Sequence, residues 1–156
     1  MNILVTGGTG FVGKPLVESL LSRGDSVTVL TRSIEKAQTI FPEKTPQFLT
    51  ALSTLKDLNN FDAVINLAGE PIFDKKWTVQ QKEKLRHSRI DLTQQIAQLI
   101  NQSEHPPVFI SGSATGIYGN CGEDLITEDT NPSSQFTAQL CIDWENAAKQ
   151  ANTRVC

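Results

Sequence analysis

The chain has 156 residues, of which 38% are apolar and 20% charged, with a net charge of −3 at neutral pH. That size and balance suit one domain with a real core and exclude a disordered chain. The weak negative charge argues against a sequence-independent grip on nucleic acid or acidic membranes, and no apolar run approaches the length of a membrane span.

The first element is a short apolar run, Ile3-Leu4-Val5, which reads as a buried parallel strand. Thr6, Gly7 and Gly8 break it, and a helical pattern runs from about Phe11 to Ser22 with Val12, Leu16, Leu20 and Leu21 at helical spacing. The glycines can be counted in two registers: Gly8, Gly10 and Gly13 give G-x-G-x-x-G, and Gly7, Gly10 and Gly13 give G-x-x-G-x-x-G. Strand, glycine turn and helix in this order form a dinucleotide fingerprint. One glycine permits the tight turn, one lets the backbone approach a pyrophosphate, and one lets helix and strand pack closely. The free amides of the helix start, with the helix dipole behind them, would hold the phosphate charge. A glycine turn that binds nothing is the bland alternative, and the correct flanking elements weigh against it.

Val27, Val29 and Leu30 make a second strand, which ends in Thr31-Arg32-Ser33. An NAD-preferring domain places an acid here for the ribose 2′-hydroxyl. This chain has no acid between Ser26 and Ile34 and offers Arg32, whose fork of donors suits a 2′-phosphate. NADP(H) is therefore expected in preference to NAD(H). A short helix over Ser33–Ile40, a weak third strand over Gln47–Ala51 and a clearer fourth over Ala63–Leu67 follow. The small residues of Asn66-Leu67-Ala68-Gly69 at the fourth strand's end would let a ribose lie close to the backbone.

A single long helix is expected from about Thr78 to Asn101. Its basic first half reads as a solvated face, with Arg86 or Arg89 meeting an anionic ligand as the alternative and His87 as an exposed histidine. Val108, Phe109 and Ile110 form a fifth strand, followed by Ser111-Gly112-Ser113-Ala114-Thr115-Gly116-Ile117-Tyr118-Gly119. Hydroxyls at the end of a central strand are placed to touch a reacting carbonyl or alcohol. A serine-rich turn that satisfies its own backbone is the alternative. A last helix is expected over Gln135–Ala151, capped by Ser133 or Ser134, and Thr153–Cys156 reads as the start of a sixth strand. Cys121, Cys141 and Cys156 lack C-x-x-C spacing, so free thiols in a reducing cytoplasm are expected, without metal or disulfide. The strand-forming start does not read as a signal peptide.

With these segments placed, the chain resembles the extended short-chain dehydrogenase/reductase superfamily, the group of nucleotide-sugar epimerases and related reductases. Thr6-Gly7-Gly8-Thr9-Gly10-Phe11-Val12-Gly13, Asn66-Leu67-Ala68-Gly69, Ser113-Ala114-Thr115 with Tyr118-Gly119, Thr127-Glu128 and Asn131-Pro132 carry the likeness. Ala68-Gly69-Glu70-Pro71-Ile72, Trp77, Ser88-Arg89-Ile90-Asp91 and Asp143-Trp144-Glu145 look like the "epimerase family" subgroup of bacterial proteins and their mitochondrial relatives.

The resemblance implies a Rossmann-type α/β domain: a doubly wound parallel sheet of order 3-2-1-4-5-6, its last strand truncated, with helices on both faces. It implies that residues 1–156 are the cofactor portion of an extended member, without a carboxyl-terminal substrate domain. The expected cofactor residues are Thr6, Gly7, Gly8, Thr9, Gly10, Phe11, Val12, Gly13, Thr31, Arg32, Leu67, Ala68, Gly69 and Ser111. Ser113 and Tyr118 are the expected catalytic pair. A small-molecule substrate, a nucleotide sugar among the candidates, is implied, and a homodimer through the last two helices, by analogy.

One departure limits the chemistry. The superfamily's general acid is a tyrosine followed four residues later by a lysine, and Phe136 and Leu140 stand at those places. Neither carries a proton. An enzyme acting on a carbonyl or alcohol is the preferred reading; a sensor of NADP(H) without turnover and a vestigial site are the competing ones.

Overall fold

The computed structural model describes residues 1–42 and 46–156. Among the described residues five strands run parallel: β1 (Asn2–Thr6), β2 (Ser26–Leu30), β3 (Gln47–Leu49), β4 (Ala63–Asn66) and β5 (Val108–Ser111), side by side in the order 3-2-1-4-5. The central strands β1 and β4 are short apolar runs without alternation, as expected where both faces of a parallel sheet are covered, whereas β2 alternates buried valines with more accessible residues. The pleat sends Ile3 and Val5 to one face and Leu4 to the other. On the first face they meet Val17 and Leu20 of α1 (Gly13–Ser22), with Val27, Val29 and Ile65. On the second, Leu4, Val64 and Phe109 pack on Ile96, Ala97 and Ile100 of α4 (Ile90–Asn101) and on Ala148 of α5 (Phe136–Ala148). The expected doubly wound architecture is therefore observed. The sixth position is marked by Val155, which bridges Phe109 in parallel beside β5, with the Ser111 amide donating to the Cys156 carbonyl oxygen at 2.8 Å.

Three elements depart most from the sequence reading, besides shifts of one to three residues at the start of α1 and the ends of β4 and α5. The expected single helix of Thr78–Asn101 is two, α3 (Val79–His87) and α4. At the break, the Ser88 hydroxyl donates to the Leu85 carbonyl oxygen at 3.1 Å and accepts the Glu70 amide at 2.9 Å. Such side-chain bonds compete with the helical ladder. The third strand is only Gln47–Leu49. The last helix begins at Phe136 with no side-chain cap; Ser133 instead accepts the Gln135 amide at 3.3 Å, one turn early. α2 (Ile34–Ile40) is capped by Ser33, whose hydroxyl accepts the Lys36 amide.

A buried polar chain ties the two sides of the strand ends together. Thr6 Oγ1 donates to Asn66 Oδ1 at 2.6 Å and accepts the Ala68 amide at 3.2 Å. Asn66 Nδ2 donates to Thr93 Oγ1 at 2.8 Å, and Trp144 Nε1 donates to the same oxygen at 3.0 Å. Buried donors and acceptors without partners are costly, so this chain fixes β1, β4, α4 and α5 in one register.

Candidate functional site

The carboxyl ends of β1, β2 and β4 open onto a cleft of about 880 Å³. That is the size of a small-molecule or cofactor site, at the place where open α/β sheets bind ligands. Thr6, Gly7, Thr9 and Gly10 form its floor, the Leu30–Ser33 stretch and Lys36 one side, and the Leu67–Pro71 stretch with His87 and Ser88 the other. The floor has its shape because of two glycines. Gly7 has φ +69°, a left-handed conformation, and a Cβ there would stand 2.7 Å from the Leu67 carbonyl. A Cβ at Gly13 would overlap the Gly7 carbonyl oxygen and stand 2.7 Å from Gly8 Cα. α1 can therefore begin hard against the turn, and no side chain caps its first amides. The Lys14 and Leu16 amides already donate to the Gly10 and Val12 carbonyl oxygens and Pro15 has no N–H, so the amides left to meet the pyrophosphate of a dinucleotide are those of Phe11, Val12 and Gly13, at the turn into the helix.

The expected cofactor residues divide into two groups. Thr6, Gly7, Thr9, Gly10, Thr31, Arg32, Leu67, Ala68 and Gly69 line the cleft. Gly8 packs behind the turn, where a Cβ would stand 2.9 Å from a Val29 methyl, and Gly13 is buried against Gly7. Phe11 is 98% exposed and Val12 60%, so neither is committed to the core. Ser111 is not in the cleft lining; its hydroxyl is buried without a hydrogen-bond partner among the described residues.

Several lining residues were not anticipated. Lys36 stands one helical turn after Ser33 on the same side as Arg32, so two cations border that end of the cleft. Its position, a basic residue in the first turn after the second strand, was a readable signal. Glu70 lies across the cleft. Hydrogen bonds from Lys75 at 3.0 Å and Gln81 at 3.4 Å hold its carboxyl below the ordinary glutamate range. His87 is exposed as expected, lines the cleft, and its Nδ1 pairs with Asp91 Oδ2 at 2.6 Å. Arg86 and Arg89 do not line the cleft: Arg86 pairs with Asp143 at 2.8 Å, tying α3 to α5, and Arg89 lies behind the wall.

Beyond β5, Ser113 Oγ donates to Glu145 Oε1 of α5 at 2.7 Å, and Lys149 Nζ stands 3.5 Å from the other carboxylate oxygen. With Glu145 ionised, the serine proton is engaged and its lone pairs are free to accept from an alcohol. Tyr118 lines a separate cavity of about 280 Å³ with Thr115, Ile126, Thr127 and Glu128, so Ser113 and Tyr118 do not share a cavity. Phe136 packs against Trp77, ring centres 5.8 Å apart, with Lys82 Nζ 5.0 Å from its ring centre. Cys141 is a buried thiol, which burial pushes above its ordinary pKa, so it is not a ready nucleophile. Among the described residues, no group of side chains is arranged to hold a metal and no helix is long and apolar enough to cross a membrane.

The profile of the NAD dependent epimerase/dehydratase family matches residues 3–156. The chain is 37% identical over 161 residues to the chloroplastic SDR39U1-homologue epimerase family protein of Arabidopsis thaliana, covering 99% of this chain and 46% of that one. Among solved structures, human epimerase family protein SDR39U1 with NADPH is similar at TM-score 0.82 and 28% identity, over 99% of this chain and 52% of that one. The nucleoside-diphosphate sugar epimerase from Corynebacterium glutamicum is similar at TM-score 0.76 and 30% identity, over 99% and 32%. The chain thus spans about half the length of the curated relative and of the human protein.

Proposed function

The chain belongs to the NAD dependent epimerase/dehydratase family, and from that premise we propose that its cleft holds NADP(H) in preference to NAD(H). The protein, in this reading, is an epimerase-like oxidoreductase acting on a carbonyl or alcohol, with a nucleotide-activated sugar as the substrate class. The observation that carries the reading is the pairing of Arg32 and Lys36 at one end of the cleft with the glycine floor between them and the Gly69 wall. Two cations line that end of the cleft, while Glu35, the acid between them, accepts from the Ser33 hydroxyl and does not line it, an arrangement that suits a 2′-phosphate. The human relative with NADPH and the Corynebacterium epimerase support the cofactor and the substrate class respectively.

The amides of the turn into α1 would hold the pyrophosphate, and the small residues Ala68 and Gly69, beside Leu67, would admit a ribose. The bound nicotinamide would supply the hydride chemistry. The chain's own contribution at the reacting centre is Ser113, which accepts a hydrogen bond from a substrate alcohol while Glu145 holds its proton. Tyr118, the one tyrosine of the chain, lines the separate cavity and would supply the proton only from there.

The test is a titration of wild type and R32A with NADPH and NADH, with cofactor oxidation followed against carbonyl and nucleotide-sugar substrates. A hydrogen bond between charged groups contributes about 1.5–3 kcal/mol, so R32A is expected to weaken NADPH about 10- to 100-fold and NADH little. Equal losses for both would remove the 2′-phosphate assignment. Tight binding without turnover across the panel would replace the enzyme by a cofactor sensor.

A further inference from the structure

Arg89 stands just before α4 with its guanidinium half-buried behind the cleft wall. Its Nη1 donates to the carbonyl oxygen of Glu70 at 3.1 Å and of Leu85 at 3.4 Å. Its Cζ is 5.4 Å from the Trp144 ring centre. Gly69 lies against the guanidinium: a Cβ there would stand 2.8 Å from Cζ and 2.9 Å from Nη2. Trp144 makes an equally close approach elsewhere. A Cβ at Gly112, the residue before Ser113, would stand 3.0 Å from its Cη2. The indole is itself fixed by its bond to Thr93. One arginine–tryptophan pair is thus wedged between a glycine of the cofactor wall and a glycine at the strand end that carries Ser113.

We propose that Arg89, held on Trp144, is a positioning residue that sets the Gly69–Glu70 wall and with it the separation between a bound nicotinamide dinucleotide and Ser113. This rests on the dinucleotide reading of the cleft. The planar guanidinium matters here as a shape: it hydrogen-bonds the Glu70 carbonyl at its edge and faces an aromatic ring, which an ammonium on a flexible stem cannot reproduce together. Burial lowers its pKa from the ordinary arginine value, yet the group stays charged at neutral pH. A methyl at residue 69 would press on the guanidinium and shift it relative to Trp144 and the Glu70 carbonyl.

A double-mutant cycle tests this. NADPH titrations are made on wild type, G69A, R89A, R89K and G69A/R89A, with thermal melts of each. Adenosine 2′,5′-bisphosphate, which carries the 2′-phosphate without the nicotinamide, serves as the second ligand. G69A and R89A are each expected to weaken NADPH about tenfold, and the double variant to bind within about twofold of R89A, because the added methyl then has nothing to strike. R89K is expected to resemble R89A, and adenosine 2′,5′-bisphosphate to bind all folded variants as it binds wild type. Additive losses near a hundredfold, or full affinity in R89K, would overturn the positioning role. Parallel loss of the bisphosphate would also overturn it, since that marks general support of the fold. Should R89A fail to fold, W144L takes its place in the cycle. Wild type that binds no NADPH strikes the dinucleotide reading itself, whereas wild type that binds with an additive cycle strikes only Arg89.

Discussion

Alanine at Gly13 and at Gly10 separates packing from ligand contact within one turn. At Gly13 the new methyl would overlap the Gly7 carbonyl oxygen and stand 2.7 Å from Gly8 Cα. Carbon atoms pack at about 3.5–4.0 Å, so the turn has to move by about 1 Å. Both neighbours are backbone, and no side chain can swing aside. Overpacking of this kind costs about 1–3 kcal/mol, while alanine's better helix propensity returns at most about 1 kcal/mol at this first helical residue. G13A is therefore expected to lose up to about 3 kcal/mol of stability. The same displacement carries the amides at the start of α1 out of hydrogen-bond reach of a phosphate. One such charge-assisted bond contributes about 1.5–3 kcal/mol, so NADPH affinity falls about 10- to 100-fold. At Gly10 the nearest atom to a new Cβ is the Gly7 carbonyl oxygen at 3.2 Å, which a few tenths of an ångström relieve. G10A should keep its stability within about 0.5 kcal/mol, yet lose NADPH affinity by the same order because its methyl takes the space of the ligand. Urea unfolding and isothermal titration calorimetry read the two quantities separately. If G13A unfolds and binds like wild type, or G10A loses stability while binding normally, the assignment of the two glycines is wrong.

Other substitutions test other parts of the account. T93V leaves the Asn66 and Trp144 donors unpaired in the core; at about 1–3 kcal/mol for each such group, a loss of about 2–6 kcal/mol is expected in urea unfolding, and a change under 1 kcal/mol would refute the network's role. Phe109 is fully buried between the sheet, α4 and α5, so F109A should cost about 3–5 kcal/mol by the same assay, and a loss near that of a surface change would contradict the packing. Glu70 has a folded pKa below its unfolded one, owing first to Lys75 and then to Gln81. Its contribution is therefore complete above the ordinary glutamate range and is lost as pH falls through the depressed value. Urea midpoints of E70Q should lie below wild type at neutral pH and converge with it in acid; a constant gap would rule out the carboxylate as the cause.

The fold was legible because its signals are local. Ile3–Val5, Val27–Leu30, Ala63–Ile65 and Val108–Ile110 are apolar runs bounded by turn residues, and the run Gly7–Gly13 names the strand–turn–helix unit on its own. The break at Ser88 was hidden because it depends on the Glu70 amide, 18 residues away in sequence. The Ser113–Glu145 bond spans 32 residues and the Trp144–Thr93 bond 51, and nothing in either local pattern announces the partner. Arg32 could be read as a ligand residue from the absence of an acid in its turn. Arg89 was offered only as an alternative ligand contact, and its actual place behind the wall could not be read, since its surroundings come from Gly69, Glu70 and Trp144, which only the packing of α5 against α4 assembles.

The central claim is that the cleft between Gly7, Arg32 and Gly69 binds NADP(H). Backbone amide NMR of the labelled chain, recorded during an NADPH titration, tests it most directly. The account predicts saturable shifts at Gly7, Thr9, Gly10, Thr31, Arg32, Ala68 and Gly69, with those at Thr31 and Arg32 much reduced for NADH at equal occupancy. Saturation that leaves these amides unmoved, with shifts confined to the Thr115–Glu128 cavity or absent altogether, would contradict it.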